Sequence, residues 1–99
     1  MQITLEVAGK KRTYVPNFVS GRMFRRTLEV SKELQKGLGE NELDAAVDYI
    51  VELYGGQFTR DEFYDGIAVQ ELVSSIRESI NSVMNKGKAS SDSGDSNPN

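Results

Sequence analysis

Neither cysteine nor histidine occurs among the 99 residues of this chain, and the two absences narrow its chemistry sharply. Without cysteine there are no disulfides, no thiolate metal ligands and no nucleophilic thiol. Without histidine the commonest general base is gone, and with both missing so are the usual zinc ligands. Catalysis would fall to carboxylates, lysine, tyrosine and hydroxyls, so no enzyme activity, catalytic residue, cofactor or metal is expected. Long apolar runs are missing as well: none approaches the roughly 20 residues that cross a bilayer. No basic-then-apolar segment opens the chain. The expectation is a soluble, cytoplasmic protein without a membrane partner. No internal repeat is visible.

What is present fits one small domain. A chain of this size buries only about 60–70% of the surface its unfolded form exposes, so its stability is modest and partners can add to it. The net charge is −3 and unevenly placed. Residues 1–36 carry eight Lys/Arg against three Glu, whereas residues 37–85 carry two Arg against ten Asp/Glu. Such polarity steers an oppositely charged partner, or a second copy, before specific contacts form.

Along the chain, Ile3, Leu5 and Val7 alternate with Gln2, Thr4 and Glu6, and Ala8-Gly9-Lys10 supplies a turn. A second limb from Lys11 to Val15 is stopped by Pro16, which reads as a β-hairpin whose apolar face must lie on something. Ser20 is placed to cap a helix running to about Gln35, with Met23, Phe24, Thr27, Leu28, Val30 and Leu34 on one side. Its other side is charged, including Arg22, Arg25, Arg26, Glu29 and Glu33. Asn41 is placed to cap a second helix ending at Tyr54 before Gly55-Gly56. There Leu43, Ala46, Val47, Ile50, Leu53 and Tyr54 form the apolar side, and Asp44, Asp48 and Glu52 line the back.

The connector YGGQFTRDEFYDGI, residues 54–67, crowds charges and aromatic rings together. A calcium loop would need oxygen ligands at alternate positions of a twelve-residue frame, which Asp61, Glu62 and Asp65 do not fit. An acid/base pair would need a pocket that separates two pKa values. The local reading is more economical. Thr59 and Glu62 form a capping box, Phe58 and Phe63 occupy the positions of a hydrophobic staple, and Gly66 is placed to end a short helix in a left-handed conformation. A last helix over about Val69–Met84 puts Val69, Leu72, Val73, Ile76, Ile80, Val83 and Met84 on one arc. Residues 85–99 are polar and read as a disordered tail. The fold class is α+β, mainly helical: residues 1–84 form a single domain with the hairpin packed on a three- to four-helix cluster.

Four amphipathic elements in 85 residues leave Met23, Phe24, Tyr49 and Tyr64 where some stay exposed, and exposed apolar patches mark association sites. The cations Lys10, Lys11, Arg12, Arg22, Arg25 and Arg26 also suit phosphates, giving a nucleic-acid-binding regulator as an alternative. Glu29 and Glu33 share the arginine face, however, and the chain is acidic, so a solvated, ion-paired face takes precedence. Like charges at Asp44, Asp48 and Glu52 repel, so that row is either ordinary surface or a receptor for a basic face.

The assembled pattern, VPNFVSGRMFRRTLEV followed by ELDAAVDYIVELYGGQFTRDEFYDGI, a closing amphipathic helix and a polar tail, resembles the tail assembly chaperones of long-tailed bacteriophages of Gram-positive hosts and their prophages. The resemblance covers about residues 11–84 and is most specific at Gly21-Arg22-Met23, Gln57-Phe58-Thr59 and Tyr64-Asp65-Gly66. It implies a non-enzymatic protein of the host cytoplasm that binds the tape measure protein, keeps it soluble, helps recruit tail-tube subunits and is not retained in the virion. A plain structural subunit of the virion is a third reading. The resemblance also implies a programmed frameshift near the end of the gene, for which Gly87-Lys88 is a compatible site. Candidate partner-binding residues are Arg22, Met23, Arg25, Arg26, Asp44, Asp48 and Glu52, through which the basic helix of one copy meets the acidic row of another.

Overall fold

A computed structural model describes the backbone of residues 1–95 and the side chains through Gly87. Strands β1 (Ile3–Val7) and β2 (Lys10–Tyr14) pair antiparallel, Ile3 opposite Tyr14 and Val7 opposite Lys10. The loop is therefore only Ala8-Gly9, both with positive φ (53° and 78°), as a tight primed turn requires. The short turn starts β2 one residue earlier than expected. Ile3 and Leu5 are buried while β2 is largely exposed, so the hairpin has one wet face, where Thr4 and Thr13 hydroxyls bond at 2.9 Å.

Helix α1 (Gly21–Leu34) begins where Ser20 Oγ accepts from the Met23 amide at 3.4 Å. Helix α2 (Glu40–Leu53) is capped by Gly39, without a side-chain bond, rather than by Asn41. Glu40 and Glu42 stand in its first turn, where their charge favours the positive helix end without a capping side chain. Its other end closes as a Schellman motif: the Gly56 amide donates to Val51 O and the Gly55 amide to Glu52 O, both at 3.0 Å. Both glycines have positive φ.

Helix α3 (Arg60–Gly66) carries the full capping box, with Glu62 N to Thr59 Oγ1 at 3.1 Å and Thr59 N to Glu62 Oε1 at 2.9 Å. The rings of Phe58 and Phe63 stack at 6.1 Å as the staple. Gly66 does not adopt a left-handed conformation. Its lack of a side chain instead admits β1, since a Cβ there would lie 2.7 Å from Glu6 O and 3.1 Å from Leu5 Cβ.

Helix α4 (Val69–Asp95) starts as expected and continues past Met84 through sequence that reads as polar tail. No proline interrupts it before Pro98, and Gly87 lets the Phe24 ring lie against it where a Cβ would overlap. The remainder of the expected tail, residues 96–99, lies outside the described residues. Its buried line runs through Ile76, Ser79 and Val83, whereas Val69 and Val73 face solvent.

Helix α2 is central and touches α1, α3 and α4, while β1 packs on α3. Ala46, Val47, Tyr49, Ile50, Leu53 and Tyr54 of this segment are all buried. Burial of each large apolar side chain contributes about 1.5–3 kcal/mol, so this one helix supplies much of the core. Tyr49, expected among residues with some exposure, is inside because its hydroxyl meets Thr27 Oγ1 at 2.6 Å, and Thr27 in turn donates to Met23 O at 2.7 Å. Tyr14, Tyr54, Phe58 and Phe63 form an aromatic cluster under the hairpin, with Tyr14 edge-on to Phe58 at 5.0 Å.

Candidate functional site

The acidic row of α2 faces partners from its own chain. Arg60, the first residue of α3, forks onto Asp48 with Nε to Oδ1 at 2.9 Å and Nη2 to Oδ2 at 2.7 Å. Its Nη1 stands 3.8 Å from Asp44 Oδ2. The Tyr64 hydroxyl donates to Asp44 Oδ1 at 2.6 Å. At the far end, Arg26 of α1 donates from Nε to Glu52 Oε1 and from Nη1 to Glu29 Oε1, each at 3.0 Å.

These contacts shift the groups involved. Hydrogen bonding from Arg60 holds the Asp48 carboxyl below its usual range. Tyr64 is pushed up to about 12, first by desolvation and then by its bond to Asp44. Hydrogen bonds to Glu29 and then Glu52 raise Arg26. Surface pairs of this kind are worth little in stability, about 0–1 kcal/mol each. Their effect is orientation, since they fasten α1 and α3 across α2 and relieve repulsion along the row.

The other residues singled out from sequence separate into two groups. Met23 is buried at 6% exposure and belongs to the core. Arg22 and Arg25 are exposed and make no ion pair or side-chain hydrogen bond among the described residues. Arg22 also stands in the first turn of α1, which contains no acidic residue. A cation there opposes the helix dipole.

Sequence reasoning missed the surface beside these arginines. The link from β2 to α1, VPNFVS, carries Phe18 at 80% exposure and Val15 at 51%. Two grooves meet along it. One is lined by Val19, Gly21, Phe24, Val83, Lys86 and Gly87, and the other by Met1, Val15, Pro16, Phe18, Val19 and Lys86. Val19 and Lys86 belong to both, so the two grooves adjoin in a mainly apolar band to which Ser20 and Asn17 add polar atoms, and none of the lining residues is acidic. The available signal was three apolar side chains in a six-residue connection with neither helical nor strand periodicity. A connection normally runs polar over the surface.

A third cleft, between the hairpin, α3 and α4, is polar and includes Glu6, Lys11, Asp65, Glu71 and Glu78. Among the described residues no group of three or more potential ligands is arranged to hold a metal ion. No helix among them is long and apolar enough to cross a membrane.

Comparison with known proteins places these features in context. The sequence profile of a family described as phage tail chaperone protein matches residues 1–98. No curated protein and no solved structure matches the chain.

Proposed function

Because this chain belongs to the phage tail chaperone protein family, we propose that it acts in tail assembly by binding the tape measure protein, keeping that long helical client soluble and helping to recruit tail-tube subunits. The observation that carries this reading is the family match over residues 1–98, and Phe18 at 80% exposure supports it, a large ring held in water by a fold that has buried its other phenylalanines at least in part. An exposed aromatic beside an apolar groove suits a reversible grip on an amphipathic rod. Release is then a matter of competition: growing tube covers the same client surface and displaces the chaperone.

No covalent step is needed for such a task, and the chain acts without catalysis. It works in the host cytoplasm and leaves before the virion is complete. The cationic set available to nucleic acid is smaller than the sequence implied, because Arg26 is committed to Glu29 and Glu52. Copies meeting through Arg26 and Glu52 would exchange a pair already formed within each chain for one between chains, a small change in energy either way.

Coexpression tests the reading. The tape measure protein is produced with and without this chain, and its soluble fraction and copurification are measured. A soluble complex is expected only when both are present. An unchanged soluble fraction with no copurification would refute the proposal. Mass spectrometry of purified particles should find no stoichiometric amount of this chain.

A further inference from the structure

Positive charge that finds no partner among the described residues lies at the joined grooves and on the first two turns of α1 beside them. Lys86 lines both grooves. Ser20 and Gly21, where α1 begins, line the inner groove, so the positive end of the α1 dipole opens there. Arg22 follows Gly21 directly, and Arg25 lies one turn on from it. Helices usually place carboxylates in the first turn, yet α1 has none there, and neither arginine is neutralised by a described residue of its own chain.

An arrangement unfavourable to the free helix becomes favourable when carboxylates arrive from outside. We propose that the groove between the 15–20 link, the start of α1 and α4 near Lys86 binds an amphipathic helix of another protein whose apolar stripe is flanked by Asp and Glu. The stripe covers Phe18, Val19 and Phe24, while the flanking carboxylates meet Arg22, Arg25 and Lys86. This is the helix-in-groove mode, with apolar contacts for affinity and rim charges for orientation and rate. It deepens the chaperone reading, on which it rests, by naming the client segment.

Two synthetic 18-residue helices with the same leucine stripe, one flanked by glutamates and one by lysines, are titrated against the full chain at low salt, with binding read by fluorescence anisotropy. The glutamate peptide is expected to bind about tenfold tighter or better, an advantage that shrinks as salt screens the rim. Phe18→Ser weakens it by a similar factor without moving the thermal midpoint, because Phe18 contributes little to the core. Arg22→Glu separates function from structure: it raises the midpoint of the free chain by removing the dipole conflict and weakens the glutamate peptide. Equal binding of both peptides, or wild-type binding by Phe18→Ser, overturns the inference. So does a concentration-dependent dimer that Phe18→Ser abolishes while neither peptide binds. Coexpression solubility judges the chaperone reading separately: a client kept soluble by wild type and Phe18→Ser alike leaves that reading standing and removes this site.

Discussion

Replacing Gly66 by alanine tests how the hairpin is held. The added Cβ would sit 2.7 Å from Glu6 O, 3.0 Å from Glu6 N and 3.1 Å from Leu5 Cβ. Two of these are backbone atoms of β1, fixed by pairing with β2 and by Leu5, which is fully buried, so they cannot swing aside. Gly66 lies outside the left-handed region, so alanine would itself gain about 0.4–1 kcal/mol through the unfolded chain. Overpacking opposes this by about 1–3 kcal/mol. The steric cost prevails, leaving a net loss of about 1–2 kcal/mol. A domain of this size loses about 4–8 °C of thermal midpoint per kcal/mol. Urea unfolding followed by far-ultraviolet circular dichroism should show a lower midpoint with an unchanged slope. Gly21→Ala is the control, since a Cβ there meets nothing and its φ is ordinary. If Gly66→Ala is as stable as wild type, close approach to β1 is not what position 66 requires.

Other substitutions test the remaining contacts. Ala8 holds φ 53° in the hairpin turn, so Ala8→Gly should stabilise the chain by up to about 1 kcal/mol in urea unfolding, a left-handed residue with a Cβ costing about 1–2 kcal/mol. Thr27→Val strands the Tyr49 hydroxyl in the core and should cost about 1–3 kcal/mol, whereas Tyr49→Phe leaves Thr27 bonded to Met23 O and should cost less in the same assay. The Tyr54 hydroxyl is buried with no hydrogen-bond partner among the described residues, and burial, then Glu78, pushes its pKa up to about 12. A folded value above the unfolded one of about 10 means that this group leaves stability intact below pH 10. From there to about pH 12 it lowers stability by up to about 1.4 kcal/mol per pH unit. Tyr54→Phe should therefore be at least as stable at neutral pH and lose stability more slowly in alkali, as measured by urea midpoints across that range.

Much of the fold was legible because its signals are local. The Thr59/Glu62 box, the Phe58/Phe63 staple and the Ser20 cap each depend on residues within a few positions, and all three form where the spacing puts them. The less legible features depend on distant neighbours. Tyr49 is buried because Thr27, from another helix, satisfies its hydroxyl. Gly66 matters for β1 rather than for its own φ, and α4 continues beyond Met84 with Gly87 against Phe24 of α1. The candidate site divides in the same way. Periodicity marked the acidic row on the back of α2, but only folding brings Arg60 and Arg26 onto it. The exposure of Phe18 has no periodic signature at all, because it lies in a connection whose direction is set by the elements it joins.

The central claim is that the band around Phe18, which Lys86 lines and the start of α1 adjoins, grips the client. Amide chemical-shift mapping tests it most directly, with the labelled full chain titrated by a soluble fragment of the tape measure protein. The account predicts the largest changes at Val15, Phe18, Val19, Gly21, Arg22 and Lys86, with little change at Asp44, Asp48, Arg60 and Tyr64. Changes centred on the Arg60 face, with none at Phe18, would contradict it.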